Sequence, residues 1–272
     1  MNRKGNVIRF IDYLDISDNA KRIAHDLADQ IDMPVVFLID HDYDKQMALR
    51  HSLHHNEFWV LANHMPEHSE YERVILSNLY RGIQTRKRQL HLAPSPTYEN
   101  ELNSIKNLKV RTERMKYYYE LLNAIHALVT TIDAEQYLKA QGVLVSPSQR
   151  EWLFKDRITK LDEYLTMQRK YPGYLAYPEV ELHQLTDYSR IASFDPSYQR
   201  ALIARLKKLQ PFFVAQRCIK WLTRLMEVIK DAEEKYSTQS PDSVPDWLTQ
   251  EIVHILHLED KVIFLKRLRF FR

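Results

Sequence analysis

The sequence predicts a mostly α-helical protein of the α+β class, in which a small N-terminal α/β piece with a short sheet precedes one or more helical domains. Only four of the 272 residues are glycine, against roughly nineteen at the average usage of about 7%. Strand-rich barrels and sandwiches need glycine at many turns, so both are disfavoured. Apolar residues also recur with helical spacing over most of the chain, whereas strand-like runs occur only before residue 65.

The N-terminal piece is predicted to alternate helix and strand. A helix over 17–32 is indicated by a capping residue, Ser17 or Asp18, and by apolar residues at every fourth position, Ile23, Leu27 and Ile31. The β-branched run VVFLI (35–39) favours a buried strand, and EFWVLANH (57–64) favours a second one. The segment between these runs, through His55, is predicted to form a short helix or a loop.

The remainder of the chain is predicted to be helical. Helices are expected over about 67–90 and 98–131, from Ile132 to near Gly142, from Pro147 to about 170, and after Pro196 and Pro211. The predicted organisation is an N-terminal domain at 1–131, a helical domain at 132–236, and a linker with a C-terminal helix pair at 237–272. The second helix of that pair is KVIFLKRLRFF (261–271).

Composition excludes several classes of protein. The single cysteine, Cys218, rules out a disulfide framework and a cysteine-based zinc site. The net charge of +3 is too small to indicate a partner. No apolar run approaches the length of about 18 residues that indicates a membrane span, and the amino terminus lacks the apolar stretch of a secretory signal, so a cytoplasmic location is expected.

Histidine is concentrated in one stretch, since seven of the twelve histidines lie between His41 and His91. Imidazole and carboxylate are the ligands that zinc prefers, so a metal-dependent hydrolase with zinc as its cofactor is one hypothesis. The candidate ligands are Asp40, Asp42, His51, His55, His64 and His68. His51 and His55 would share a helix face, but Ser52 follows His51, so the H-E-x-x-H motif is not met. The alternative is a solvated polar face with histidines in loops.

The order of elements carries a stronger indication. A helix, the strand VVFLI, the strand EFWVLANH and a long helix containing VILSNLYRGIQ (74–84) follow one another. This arrangement resembles the N-terminal half of zincin-type metallopeptidases of the minigluzincin group, which includes the ImmA/IrrE-like peptidases. Their motif helix carries H-E-L-x-H followed by a small residue and an apolar one. With Leu79 and Gly82 aligned to that pattern, Ser77 and Arg81 occupy the positions of the first and second histidines, and Asn78 occupies that of the glutamate.

The resemblance covers about residues 15–90, or 15–131 if the second long helix is included, and implies a peptidase fold whose active motif is lost. Zinc requires two imidazoles one helical turn apart and a carboxylate that takes a proton from bound water, whereas this chain offers a hydroxyl, an amide and a guanidinium. We therefore expect no cofactor, no catalytic residue, and a regulatory or interaction module with a protein partner. Arg81 is expected to pair with a carboxylate of the second long helix, Glu113 or Glu120.

Two basic segments leave a third hypothesis open, that of a nucleic-acid-binding protein. The candidate residues for nucleic-acid or anion binding are Arg86, Lys87 and Arg88, with Lys266, Arg267 and Arg269 in the tail. Aromatic residues in the tail suit stacking on bases or contact with an anionic membrane surface. The structural alternatives are basic residues that favour a helix C-terminus and a tail whose apolar side packs on the core.

Overall fold

A computed structural model describes residues 5–31, 34–40, 50–52, 57–63, 68–87, 90–170, 178–238 and 243–266. The described chain is mostly helical with a few short strands, which confirms the predicted fold class. The elements of its first half are β1 (Gly5–Ile8), α1 (Asp18–Ala28), β2 (Val35–Asp40), β3 (Arg50–Ser52), β4 (Glu57–Asn63), α2 (His68–Lys87), β5 (Leu90–Pro94), α3 (Pro96–Asn103) and α4 (Leu108–Ala140). Those of its second half are α5 (Pro147–Lys170), α6 (Pro178–Phe194), α7 (Pro196–Leu206), α8 (Phe212–Thr238), α9 (Val244–Ile255) and β6 (Val262–Lys266).

The chain forms two compact units whose boundaries differ from the predicted domains. Unit 1 consists of Met1–Arg88 and Asp133–Gln149, and unit 2 consists of Gln89–Ile132 and Arg150–Arg272. The predicted boundary at 131/132 falls inside α4, because no proline or glycine interrupts that helix and it continues to Ala140. None of the helices in the described part of the chain combines the length and apolarity that crossing a bilayer requires.

Unit 1 contains a four-stranded sheet in the order β1-β2-β4-β3. The two strands predicted from VVFLI and EFWVLANH are its parallel central pair, with Val35 opposite Phe58 and Asp40 opposite Asn63. β1 and β3 pair antiparallel with the outer sides of this pair. The strand β3 contradicts the prediction of a helix or loop through His55, because His51 pairs with Phe58 in an extended conformation.

Helix α1 has the predicted apolar stripe, and Ile23, Leu27 and Ile31 are all buried. Its start is capped, since the hydroxyl of Ser17 accepts a hydrogen bond from the Ala20 backbone N–H at 3.3 Å. The helix ends at Ala28, four residues before the predicted end.

The end of α4 follows the Schellman pattern around Gly142, whose φ is +80°. The Val143 N–H donates to the Leu138 carbonyl at 2.8 Å and the Gly142 N–H donates to the Lys139 carbonyl at 3.0 Å. Glycine suits this left-handed position because it has no Cβ. The turn directs the following residues, 143–149, into unit 1.

Unit 2 is built on a core contributed by helices α3 to α9. Helix α8 supplies its longest apolar stripe, which includes Trp221, Leu222, Leu225 and Ile229, all buried. Cys218 is buried in the same stripe, as a small apolar residue would be.

A two-stranded antiparallel ribbon in unit 2 overturns the prediction of a C-terminal helix pair. α9 is the first helix of that pair, but residues 262–266 form β6, which pairs with β5 so that Val262 faces Pro94 and Lys266 faces Leu90. The segment VIFLK is rich in β-branched and aromatic residues, and the backbone of β5 supplies the hydrogen-bond partners that a strand requires.

Candidate functional site

Helix α2 approaches the sheet of unit 1 closely at Gly82. A Cβ atom at this position would lie 2.2 Å from Cζ of Phe58, a buried residue of β4. Only glycine allows the helix and strand to approach this closely without displacing the ring. Leu79 and Ile83, which flank Gly82 on the helix, are buried as well. One side of α2 is therefore fixed against the sheet.

A second side of α2 carries a buried polar stripe, which consists of Glu70, Arg73, Ser77, Arg81 and Gln84. These positions fall within an arc of about 80° around the helix axis, since each residue advances by about 100°. Four of the five are buried, with exposures between 3% and 8%, and Arg81 is half-buried. Polar side chains are seldom buried unless they are hydrogen-bonded or ion-paired, so the stripe requires partners.

At its N-terminal end the stripe is held by a buried ion pair. Nε of Arg73 lies 2.9 Å from Oε2 of Glu70, and both side chains are buried. The other carboxylate oxygen of Glu70 accepts a hydrogen bond from the backbone N–H of Ser146 at 3.0 Å. Glu70 thus joins the first turns of α2 to the segment after α4.

At its C-terminal end the stripe meets α4. The side-chain amide of Gln84 donates a hydrogen bond to the carboxylate of Asp133, and both residues are buried. One turn away, Tyr80 and Tyr137 stack with ring centroids 4.2 Å apart and an angle of 16° between their planes. Residues 133–146 therefore run antiparallel to α2 and cover the stripe from within unit 1.

Tyr71, which follows Glu70 on α2, is buried beside this region. Burial, with a smaller contribution from the negative charge of Asp15, raises the pKa of Tyr71 to about 12. Burial also raises the pKa of Tyr137, the partner of Tyr80. Both hydroxyls stay protonated at neutral pH and neither acts as a general base.

The three positions that resemble a lost zinc motif lie together on α2. Ser77 and Arg81 belong to the polar stripe, and Asn78 lies beside it with an exposure of 1%. A hydroxyl, an amide and a guanidinium do not fit a zinc ion, because the last of these repels a cation and the first two are poor ligands. The part of α4 in unit 1 carries the carboxylates of Asp133 and Glu135, whereas the expected partners of Arg81, Glu113 and Glu120, belong to unit 2.

The predicted metal ligands are only partly described. Asp40 ends β2, His51 lies in β3, and His68 begins α2, while Asp42, His55 and His64 fall outside the described residues. The strand register places Asp40 opposite Asn63 and His51 opposite Phe58. Phe58 and Asn63 are five residue steps apart on β4, or about 16 Å along the strand, so Asp40 and His51 would belong to different sites.

Metal binding by the remaining candidates stays a prediction. Across the described residues, no group of three or more His, Cys, Asp or Glu side chains is arranged to hold a metal ion.

The predicted basic residues lie at the ends of elements. Arg86 and Lys87 form the last turn of α2, and Lys266 is the last residue of β6. Arg88, Arg267 and Arg269 lie outside the described residues. Nucleic-acid binding by these residues stays a prediction.

The sequence analysis did not single out Glu70, Arg73 and Gln84 as buried members of the polar stripe, nor Asp133 as a partner of Gln84. A signal was present, because polar residues recur at intervals of three and four positions along α2, as apolar residues do in a core stripe. Such spacing indicates a common face, but it does not distinguish a buried face from a solvated one.

The chain was compared with protein-family models, curated proteins and solved structures, and none of the three comparisons gave a match.

Proposed function

We propose that the protein is a non-catalytic pseudo-metallopeptidase that acts as a regulatory or protein-interaction module and has no metal cofactor. The observation that carries the proposal is that the polar stripe on α2 lacks the zinc-binding residue types and is covered by other residues of unit 1. Ser77 and Arg81 stand where the resemblance requires the two zinc-binding histidines, and Asn78 stands where it requires the catalytic glutamate. Hydrogen bonds from Gln84 to Asp133 and from Ser146 to Glu70 cover this face of the helix with the chain itself.

The connectivity of unit 1 supports the resemblance on which the proposal rests. A helix precedes the parallel pair β2 and β4, a short antiparallel strand lies at the edge beside β4, and α2 follows directly. Gly82 has a physical role in this arrangement, since it allows α2 to lie close to Phe58. The small residue after the motif, on which the alignment depends, is therefore required by packing.

Loss of the motif removes hydrolysis but leaves a folded surface available for recognition. Phe10 and Tyr13 are exposed by 64% and 75%, and their rings meet edge to face with centroids 5.8 Å apart. Aromatic side chains are enriched where proteins bind one another, because they bury a large area at a low entropic cost. This aromatic pair supports a protein partner for unit 1.

The metal part of the proposal is tested by restoring the motif. Purified wild-type protein is expected to contain no stoichiometric zinc by mass spectrometry after exposure to zinc and dialysis, and to leave casein uncut. Ser77→His/Asn78→Glu/Arg81→His is expected to gain about one equivalent, since these residues complete a zincin helix. A matched control, Ser77→Ala/Asn78→Glu/Arg81→Ala, restores the carboxylate at the same positions without the two imidazoles and is expected to gain none. One tightly bound zinc in the wild type, or equal gain in both variants, contradicts the proposal.

The recognition part is tested by affinity purification of the tagged full chain from its native cells. Proteins that co-purify in stoichiometric amounts with the wild type are expected to be lost with Phe10→Ser/Tyr13→Ser. Leu144→Ser is the matched control, because Leu144 is an apolar residue of the same unit with an exposure of 60%. Equal recovery with both variants, or no stoichiometric partner at all, contradicts this part.

A further inference from the structure

We infer that unit 2 carries a binding surface for single-stranded nucleic acid around the turn between α7 and α8 and along one side of α8. This α8 surface consists of the exposed residues Lys207, Lys208, Phe212, Phe213, Lys220 and Arg224. It shares no residue with the basic segments singled out in the sequence, and it does not depend on the function proposed for unit 1.

The aromatic part of the surface is an adjacent pair at the start of α8. Phe212 and Phe213 are exposed by 67% and 63%, although the next residues, Val214 and Ala215, are buried in the core. Two neighbouring phenyl rings held in water by a long helix form a platform for unstacked bases. The guanidinium of Arg217 lies 6.0 Å from the ring centre of Phe213 and 5.1 Å from that of the buried Trp221, so a planar cation lies between this platform and the core.

The cationic part of the surface follows from an unusual run of sequence. Between Asp195 and Glu227 the chain has seven lysines and arginines and no acidic residue. On α8 the positions of Phe213, Arg217, Lys220 and Arg224 fall within an arc of about 60° and extend over about 16 Å of the helix axis. Among the described residues, neither Lys220 nor Arg224 forms an ion pair, so both charges face solvent.

In the folded chain the end of α5 lies beside the turn between α7 and α8. The side chain of Gln168 binds the backbone of Gln210 twice, accepting from its N–H at 3.2 Å and donating to its carbonyl. The two residues that follow, Arg169 and Lys170, are exposed, so two further cations lie beside the turn. Cations at the ends of α5 and α7 are favoured by the helix dipole, but Lys220 and Arg224 lie in mid-helix, where that explanation fails.

The shape of the surface favours a strand of nucleic acid over an anionic membrane. An interfacial helix lies flat and buries an exposed apolar stripe, whereas the apolar stripe of α8 is already buried in the core of unit 2. If α8 stood upright, Arg224 would be about 16 Å from the phenyl rings along the axis, beyond the shallow depth of an interfacial contact. A strand with repeating phosphates and bases matches a line of cations that begins at two aromatic rings.

Fluorescence anisotropy with labelled oligo(dT) and oligo(U) tests the inference on the full chain. The wild type is expected to bind both single strands at low salt. With four cations engaged, the slope of log K against log salt should be about −3. Phe212→Ser/Phe213→Ser is expected to weaken binding about tenfold or more with the slope unchanged, because stacking is lost and charge is kept. Lys220→Glu/Arg224→Glu is expected to weaken binding and to reduce the slope by about 1.4.

The matched control is Lys106→Glu/Lys109→Glu, which changes the net charge equally at two exposed positions of unit 2 that belong to the start of α4 and the residues before it, not to α8. Its affinity is expected to stay within twofold of the wild type, and circular dichroism checks that every variant folds. The inference is overturned if no single strand binds at low salt or if the control loses as much affinity as the α8 variants. It is also overturned if duplex DNA binds as tightly and the phenylalanine variant has no effect, or if only phosphatidylserine vesicles or polyglutamate bind.

Discussion

Helices α2 and α8 are both long, 20 and 27 residues, but they differ in which side chains they bury. α8 is amphipathic in the ordinary way, with an apolar stripe in the core and Lys220 and Arg224 in water. α2 is buried on its apolar side and also along a polar stripe, which includes Glu70, Arg73 and Gln84. The comparison shows that a row of polar residues on a helix does not by itself indicate exposure.

The two helices differ in whether their polar side chains have hydrogen-bond or ion-pair partners. On α2 the buried charges of Glu70 and Arg73 satisfy each other, and Asp133 and Ser146 come from a distant part of the chain. On α8 neither Lys220 nor Arg224 forms an ion pair with a described residue, and both side chains lie in water. A buried charge without a partner costs far more free energy than a solvated one. The polar side chains of α2 can therefore be buried because they have partners, whereas the cations of α8 stay in water.

The largest change in the free energy of unfolding is expected from breaking the ion pair of α2. Glu70→Ala is expected to lower the free energy of unfolding by about 3–5 kcal/mol, because Arg73 is left buried and unpaired. Urea denaturation measures this loss, and Glu70→Ala/Arg73→Met is expected to recover most of it. A surface pair serves as the control: Asp26→Ala removes the exposed partner of Arg22 and should cost at most about 1 kcal/mol. Equal losses for Glu70→Ala and Asp26→Ala would mean that the α2 pair is effectively solvated.

The second prediction contrasts the two sides of α8. Leu222→Ala is expected to cost about 2–5 kcal/mol, because Leu222 is fully buried and truncation leaves a cavity. Phe213→Ser removes a larger side chain but is expected to change stability by about 0.5 kcal/mol or less, since its ring is exposed. Thermal unfolding of the two variants gives the comparison. A large loss from Phe213→Ser would show that its ring packs on the protein.

The third prediction concerns the contact of α2 with the sheet. Alanine normally stabilises a helix relative to glycine by about 1 kcal/mol. Gly82→Ala is expected to destabilise the protein by about 1–3 kcal/mol, because its Cβ would overlap the ring of Phe58. Adding Phe58→Leu should offset part of the clash, so that the double variant loses less than the sum of the single losses. A stabilised Gly82→Ala variant would show that the helix and strand separate easily.

The smallest expected effect is a pH dependence centred on Tyr71. Because burial raises its pKa to about 12 in the folded state, against about 10 when unfolded, the folded state retains the proton longer. The stability that protonated Tyr71 contributes is therefore fully present below about pH 10, and it is lost as the pH rises from about 10 towards 12. Tyr71→Phe is expected to make the fall in urea midpoint between pH 9 and pH 11 less steep. Burial also raises the pKa of Tyr188 in unit 2, so some decline should remain.

The local sequence predicted most of the helices and the central strands of the sheet. The apolar stripe at Ile23 and Leu27, the β-branched run in β2 and the prolines that open α5 and α7 are signals within a few residues of one another. The sequence also indicated which residues of α2 share a face, including Ser77, Asn78 and Arg81, because helical geometry fixes that relation.

Tertiary structure decided what each of those faces contacts. Residues 262–266 form a strand only because β5, far away in sequence, offers an edge with which to pair, and the same segment alone suits a helix stripe equally well. The polar stripe of α2 is buried only because α4 and the segment after it return Asp133 and Ser146 to it, and Gly82 is required only because Phe58 lies opposite. Periodicity follows from local backbone geometry, whereas burial and pairing depend on atoms brought together from distant parts of the chain.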